Sequence, residues 1–391
     1  LAFFAPDIPV FTFPAWDCLP YDRTSPNADV SATRMATLAG LVHGMPPKFI
    51  LLTSLAAATQ RVPARNILRE AAFKATVGNR LDETALRNFL VRMGFTQSPT
   101  VMEPGDYAVR GGIIDIFPPG QSGPVRLDLF GDVLDGARRF DPATQRTTEK
   151  LTEVELAPVS EVILDEPAIT RFRQNYRIEF GAAGTDDPLY EAVSEGRRYP
   201  GLEHWLGYLE EELVPVLNFL PEAPVILDHL LEDALNDRST QIDDHYQTRL
   251  EHTGDGAIYR PSEPHPLYPA VQAWNNLLAE RKTVTVTPFD VIQQQTAGKV
   301  VLMGGRQSRT FAAERTATDQ NVFDALIGHV NDLVADKSRV MIASWSEGAR
   351  DRLAQVLQDH GLVKQRLINS WTDAKGLPNG TVGLSILEVE N

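Results

Sequence analysis

Cysteine is nearly absent from this 391-residue chain: Cys18 stands alone. An internal disulfide framework and a cysteine-based zinc cluster are both excluded, which fits a reducing compartment and makes the cytoplasm the expected location. Long apolar runs are missing too. No stretch approaches the roughly 18 unbroken apolar residues of a membrane helix, so no membrane partner is expected. Positive charge is scarce, with 37 Lys and Arg against 52 Asp and Glu and a net charge of −15. Non-specific affinity for phosphate comes from clustered cations, so this balance argues against a protein that coats nucleic acid. The phosphate-loop pattern G-x-x-x-x-G-K-[ST] does not occur. Its nearest fragment, Gly298-Lys299, lacks the glycine loop whose amides would cradle phosphates. There is no H-E-x-x-H, and His245 with His252 reads as a solvent-facing pair rather than a ligand set. No G-x-S-x-G elbow supports hydrolase chemistry. No catalytic residue and no metal site is assigned. The opening Leu1-Ala2-Phe3-Phe4 has neither Met nor a basic leader, and reads as a start made inside a longer protein.

What is present is an ordinary globular composition, 43% hydrophobic and 23% charged, long enough for about three units at roughly 100–200 residues each. Short apolar runs such as Val10 to Phe13 give way to a helical pattern through Met35, Leu38, Leu41 and Val42. Phe49 to Leu52 reads as a buried strand. Asp82 is a candidate N-cap, Leu86, Phe89, Leu90 and Met93 form one helical face, and Gly94 is a stop. From about Val101 the period changes to two, with strands expected over Ala108–Phe117, Val125–Phe130, Ala137–Phe140 and Val154–Val162 around the turn-rich Pro118–Pro124. A helix is expected near Pro167–Gln174, then mixed α/β structure from Tyr199, with strands at Pro224–Asp228, Thr283–Val286 and Val300–Met303. The polar Gln307–Gln320 is a linker. Beyond it, Arg339–Ala343 reads as a strand, Ser344 with Glu347 as a capping box, and Ala349, Leu353, Val356 and Leu357 as a helical face. The expected divisions are 1–97, 98–190, 191–306 and a small α/β domain at 321–391.

Two apolar stretches run into acids. Val162-Ile163-Leu164-Asp165-Glu166 reads as a strand ending in a solvated pair before Pro167. Val225-Ile226-Leu227-Asp228-His229 resembles the metal-holding strand end of an ATPase, but His229 stands where a hydrolytic enzyme needs a carboxylate base. The best candidate for function is the arginine-rich hairpin region. Arg110, Arg126, Arg138 and Arg139 accompany Phe130 in a short part of an acidic chain. Arginine beside an exposed aromatic is what interface hot spots favour. Alternation alone leaves open whether Phe130 packs inward and the arginines are scattered solvated charges.

Val101-Met102-Glu103-Pro104-Gly105-Asp106-Tyr107-Ala108-Val109-Arg110-Gly111-Gly112-Ile113-Ile114-Asp115-Ile116-Phe117-Pro118, then Val125 to Asp132 and Arg139 to Thr147, resembles the UvrB-interaction module shared by UvrB and the transcription-repair coupling factors. Phe13 to Asp22 and Ser31-Ala32-Thr33-Arg34 resemble the first UvrB-like subdomain of the coupling factors, with only Arg23 to Val30 between them where UvrB has a long DNA-gripping hairpin. Tyr199-Pro200-Gly201-Leu202-Glu203-His204-Trp205 is similar to the re-entry into the second half of that fold, and Asp228-His229 falls on a degenerate ATPase motif. The resemblance implies an α/β multidomain protein: a degenerate UvrB-like, RecA/helicase-like α/β domain with an inserted β-rich UvrA-binding module, followed by a small α/β domain. It implies an adaptor that recruits UvrA through Arg110, Arg126 and Phe130, with Arg139 a weaker candidate. It implies no cofactor in this stretch, ATP and Mg²⁺ belonging to a motor elsewhere in the family's full-length protein, which also meets RNA polymerase and DNA. The competing expectations are a UvrB-like ATP-dependent DNA-binding enzyme and a scaffold that holds motor domains inactive.

Overall fold

Arg34 shows how the long-range architecture is fixed. It lies on helix α1 (Ala28–His43), whose N-cap Asn27 accepts from the Asp29 amide at 3.0 Å and whose apolar positions Met35, Leu38, Leu41 and Val42 are all buried. Arg34 is buried with them. Its guanidinium donates to both carboxylate oxygens of the equally buried Glu161, donates to the Pro14 carbonyl at 2.7 Å and lies 4.1 Å from the Phe13 ring centroid. The computed structural model describes residues 1–181, 187–251, 259–292, 298–316 and 321–387. Internal contacts divide the chain into two units, one of Phe11–Pro47 with Leu51–Thr287, the other of Leu1–Val10, Lys48–Ile50 and Pro288–Asn391.

In the larger unit, helix α2 (Glu83–Arg92) begins as expected at Asp82, whose carboxylate accepts from the Ala85 amide at 3.1 Å, and stops before Gly94 at φ 90°. The chain then builds an antiparallel meander: β1 (Asp106–Arg110), β2 (Ile113–Ile116), β3 (Val125–Phe130), β4 (Val133–Phe140) and β5 (Thr147–Leu151). The short parallel strand Thr96–Gln97 completes six strands on the far side of β1. Two tight loops set the register. Gly111-Gly112 joins β1 to β2 and Gly131-Asp132 joins β3 to β4, each with glycine at φ 63° in the first loop position, where only glycine fits without strain. A Cβ on Gly112 would stand 2.7 Å from the Leu129 carbonyl, so the neighbouring tips also require that glycine. One face of the sheet buries Tyr107, Ile114, Ile116, Val125, Leu127 and Ala137. On the other face Val101, Ala108 and Phe140 form a small apolar cluster.

After the sheet the structure departs from the sequence reading. Val162, Ile163 and Leu164 are buried but form no strand, and Asp165 is the N-cap of helix α3 (Glu166–Phe180), accepting from the Ala168 amide at 2.8 Å. The carboxylate is used on the helix's orphan amides instead of being left to solvent. The expected strand Val154–Val162 ends at Leu156. Phe172 and Tyr176 of α3 pack with Trp205, Tyr190 and Leu206 in an aromatic core, where the Tyr176 hydroxyl donates to Asp187 at 2.5 Å. The Tyr199–Trp205 motif enters this core through Gly201 at φ 80°, whose amide donates to Ser25 Oγ at 3.1 Å. A Cβ there would meet the Asp22 carbonyl at 2.8 Å. Further on, β6 (Val225–Asp228) leads into helix α4 (Leu231–Glu251) and lies parallel to β7 (Thr283–Val286). The strand expected at Phe49–Leu52 forms at Ile50–Thr53 but is not buried, since Leu52 is half-exposed.

The smaller unit has helix α5 (Val322–Ala335), strand β8 (Met341–Ser344), helix α6 (Glu347–Asp359), strand β9 (Gln365–Leu367), the short helix α7 (Trp371–Lys375) and strand β10 (Val382–Ile386). Its parallel sheet runs β8-β10-β9. Ile327, Val330, Val340, Leu357, Val382 and Leu384 make its core. The expected capping box at Ser344 shifts by two residues. Ser346 is the N-cap, accepting from the Ala349 amide at 3.2 Å, because Ser344 still belongs to β8. Val300–Met303 is not a strand: Val301, Leu302 and Met303 are exposed and without regular structure. Strand propensity supplies no ladder where no neighbouring strand is paired. Of the expected linker, 307–311 is irregular, Ala312–Thr316 is a short helix, and 317–320 lies outside the described residues, as does His252.

Two consequences are measurable. Removing one member of a buried ion pair strands the other charge, so Arg34→Ala should lose about 3–5 kcal/mol of stability in urea denaturation, while Arg34→Met combined with Glu161→Leu should lose far less. Glu210 is buried, and desolvation, then the nearby Asp165, push its carboxyl up to about 8 against the partial relief of Arg171. The folded chain therefore holds a proton that the unfolded chain has released. The stabilising effect is complete below about pH 4.5, declines as pH rises and is lost through about pH 8. Glu210→Gln should flatten that slope in urea midpoints measured across this range.

Candidate protein interface

The tips of the two glycine hairpins stand side by side, since the Leu129 amide donates to the Gly112 carbonyl at 2.7 Å. Strand register decides which residues share a face. Asp115 pairs with Arg126 and Arg126 with Arg138, while Arg110 pairs with Ile113 and Ile113 with Asp128. Side chains directly opposite one another, and those two residues along, point the same way. Arg110, Ile113, Arg126, Asp128, Phe130 and Arg138 therefore occupy one face. The register shift at Asp128/Leu129 places the extra residue, Asp135, on β4 and leaves the alternation of β3 intact.

Phe130 is 82% exposed at the last position of β3. It is not a core residue. Below it Ile113 is partly exposed, and to one side Arg110 is exposed with one donor on the Pro99 carbonyl at 2.6 Å. Arg126 lies four residues back along β3, about 13 Å from Phe130 at roughly 3.3 Å per residue. It is held closely: Nε and Nη2 meet the two oxygens of buried Asp115 at 2.6 and 2.8 Å, Nη2 also reaches Gln145 at 3.2 Å, and the guanidinium lies 4.5 Å from the Phe140 ring centroid. Hydrogen bonding to Asp115 raises its pKa further. The Nη1 donors are the ones left for a partner. Arg138 bonds Asp128 at 2.5 Å on the same face.

Arg139 is not brought together with the others. It pairs across from Val125 on the opposite face, where it donates to Gln121 at 3.2 Å and the Gly123 carbonyl at 3.1 Å and approaches Glu149 at 3.3 Å. Sequence reasoning missed Asp115, the residue that orients Arg126. The signal was available in Ile114-Asp115-Ile116, where a carboxylate alternates with two buried isoleucines and must find a cation on the other face. It also missed the exposed pair Arg80–Asp132 at the Gly131 tip, 2.5 Å apart. Such a pair contributes little stability.

Asp228 and His229 lie side by side at the end of β6. The Asp228 carboxylate, exposed at the C-terminal end of β6, accepts from the Leu230 amide at 2.8 Å and lies 3.3 Å from His229 Nδ1. It closes the turn into α4. Among the described residues, no group of three or more His, Cys, Asp or Glu could hold a metal ion, and no helix is long and apolar enough to cross a membrane.

The family model of the UvrB interaction domain matches residues 73–161, which encloses all five strands of the meander. Over 375 residues, 95% of this chain, the sequence is 27% identical to the transcription-repair-coupling factor of Rickettsia typhi, covering 32% of that protein. It is 28% identical over 357 residues to that of Escherichia coli, covering 90% of this chain and 30% of the relative. The Myxococcus xanthus protein is 37% identical over 228 residues, 56% of this chain and 19% of its own. The chain thus spans about a third of the length of the first two of these relatives. Residues 73–161 thus match the UvrB interaction domain, and over nearly its whole length the chain is similar to the transcription-repair-coupling factors.

Proposed function

We propose that this chain is the adaptor region of a transcription-repair-coupling factor and that it recruits UvrA by protein contact, without catalysis of its own. The observation that carries the reading is Phe130, an 82% exposed aromatic at a tight hairpin tip, inside the matched UvrB interaction domain and on one sheet face with Arg110 and Arg126. An aromatic knob flanked by guanidinium groups suits an apolar pocket rimmed by carboxylates, with truncation costing about 2 kcal/mol or more at a hot spot. Asp115 holds Arg126 in place before the partner arrives, which reduces the ordering cost of binding.

A wider reading extends this proposal, with the likeness to the coupling factors as its support. The inserted module, 98–190, interrupts a degenerate UvrB-like, RecA-like domain formed by 1–97 and 191–306, and 321–391 is a separate small domain. Asp228 and His229 are the remnant of an ATPase strand end, the carboxylate now serving its own turn. Contacts with RNA polymerase and DNA, and the ATP- and Mg²⁺-dependent motor, belong to the rest of such a protein. The setting is the cytoplasm, in transcription-coupled nucleotide excision repair.

Calorimetric titration of purified UvrA into the chain tests the reading, with circular dichroism and urea denaturation on every variant. Phe130→Ala should leave stability within about 0.5 kcal/mol, as surface changes do, yet weaken binding by about 2 kcal/mol or more. Arg110→Ala should weaken it in the same direction. Arg126→Ala should lose binding and about 2 kcal/mol or more of stability together, because Asp115 is left buried without its partner. Arg139→Ala should leave binding within about threefold, which is under about 0.7 kcal/mol. A folded chain that does not bind UvrA, or a Phe130→Ala variant that binds as tightly as the parent, refutes the proposal.

A further inference from the structure

The small unit carries a site that the interface does not explain. A cavity of about 490 Å³ opens beside β8 and α7, within the roughly 300–1,000 Å³ that small-molecule sites occupy. Its floor is apolar: Val340, Ala374 and Leu377 are buried beneath it, with Met341 beside them. Its walls are Lys337, Arg339, Lys375, Asn379 and the half-exposed indole of Trp371. No aspartate or glutamate lines it, and among the described residues none of the three cations is ion-paired with a carboxylate. Asp373, the acid on α7, is turned back to accept from the Asn369 amide at 3.0 Å. Lys337, Arg339 and Lys375 put three like charges on the wall of one apolar-floored cavity, a lining that an anion complements.

A second observation concerns Lys337 alone. After α5 its amide donates to the Val334 carbonyl at 2.9 Å and the Ser338 amide to the Leu333 carbonyl at 2.9 Å, with Lys337 at φ 63°. This is the helix stop in which the left-handed position ordinarily goes to glycine. A lysine there costs of order 1 kcal/mol of backbone strain. Its side chain, which lines the cavity, is what glycine would not supply.

We propose that this cavity binds a nucleoside phosphate, its phosphates held among Lys337, Arg339 and Lys375 and its base set against the Trp371 indole and the Asn379 amide. A multiply charged compact group matches three cations lining one cavity better than single carboxylates do. A flat heteroaromatic ring matches an indole beside an amide, which can offer a donor and an acceptor. The lining has no carboxylate or histidine to act as a general base, so the ligand is bound and not hydrolysed.

The test is calorimetric titration of the whole chain with ATP, ADP, pyrophosphate and adenosine, repeated on Lys337→Gly, Arg339→Ala and Trp371→Ala, with an Asp/Glu peptide as comparison. ATP and ADP should bind, and pyrophosphate and adenosine should each bind at least tenfold more weakly. Lys337→Gly suits the backbone, so it should keep or raise the melting temperature while weakening ATP at least fivefold. Arg339→Ala and Trp371→Ala should weaken ATP by similar factors. No saturable ATP binding at millimolar concentration overturns the proposal. So does pyrophosphate that binds as tightly as ATP, ATP binding indifferent to both Lys337→Gly and Arg339→Ala, or Lys337-dependent binding of the acidic peptide in place of the nucleotide.

Discussion

The Arg34–Glu161 pair is the contact on which the placement of the six-stranded sheet depends. Two charges taken fully out of water are tolerated only when each is met by the other in good geometry and their remaining hydrogen-bonding capacity is used. Arg34 satisfies this with a two-oxygen grip on Glu161 and a third bond to Pro14. One side chain on α1 thereby joins three segments far apart in sequence. Arg198 performs a related task nearby, reaching Ser160 Oγ at 3.1 Å and the carbonyls of Arg92 and Val162 at 3.3 and 2.5 Å. Residue 92 precedes the meander and residues 160–162 follow it, and the Val159 amide donates to the Met93 carbonyl at 2.9 Å. The segments that lead into and out of the sheet are therefore tied together, and the hairpins project from a joined base.

The same logic recurs on the sheet at smaller scale. Asp115 is too deeply buried to stand alone, so Arg126 must lie across it, and the ring of Phe140 beneath completes the setting. Stability and presentation are coupled at Arg126, because the group that neutralises the sheet also faces outward. At Phe130 they are separate. The ring touches little of its own protein, and the hairpin holds it without needing it.

Much of this was legible in residue order, and what was not has identifiable causes. Val125–Phe130 and Thr283–Val286 form the strands that their alternation and β-branched content predict, and Asp82 and Gly94 bound the helix they should. Local chemistry decides such features within a few residues. Val162–Leu164 and Val300–Met303 have the same apolar content as those strands but no ladder, because a strand depends on neighbours remote in sequence. The cap is displaced to Ser346 because the strand runs on through Ser344, one residue past its expected end at Ala343, which a serine-and-glutamate pattern does not reveal. The candidate site stood out in composition, but its orientation was not legible. Whether Phe130 and Arg139 share a face depends on pairing register, and here it separates them.

The position of Phe130 at a closed turn, rather than along an open edge, limits what can bind it. Val133 and Phe130 pair with each other across the tip, so the backbone there offers no row of unpaired amides on which another chain could add a strand. The true edges of the sheet are elsewhere, and the one at β5 is short and carries Glu149 and Lys150. An exposed aromatic on this sheet can therefore be adhesive without being a template. It selects for partners that present a concavity deep enough for a ring, and it gives no purchase to the extended segments of unfolded chains that would otherwise compete for an apolar surface.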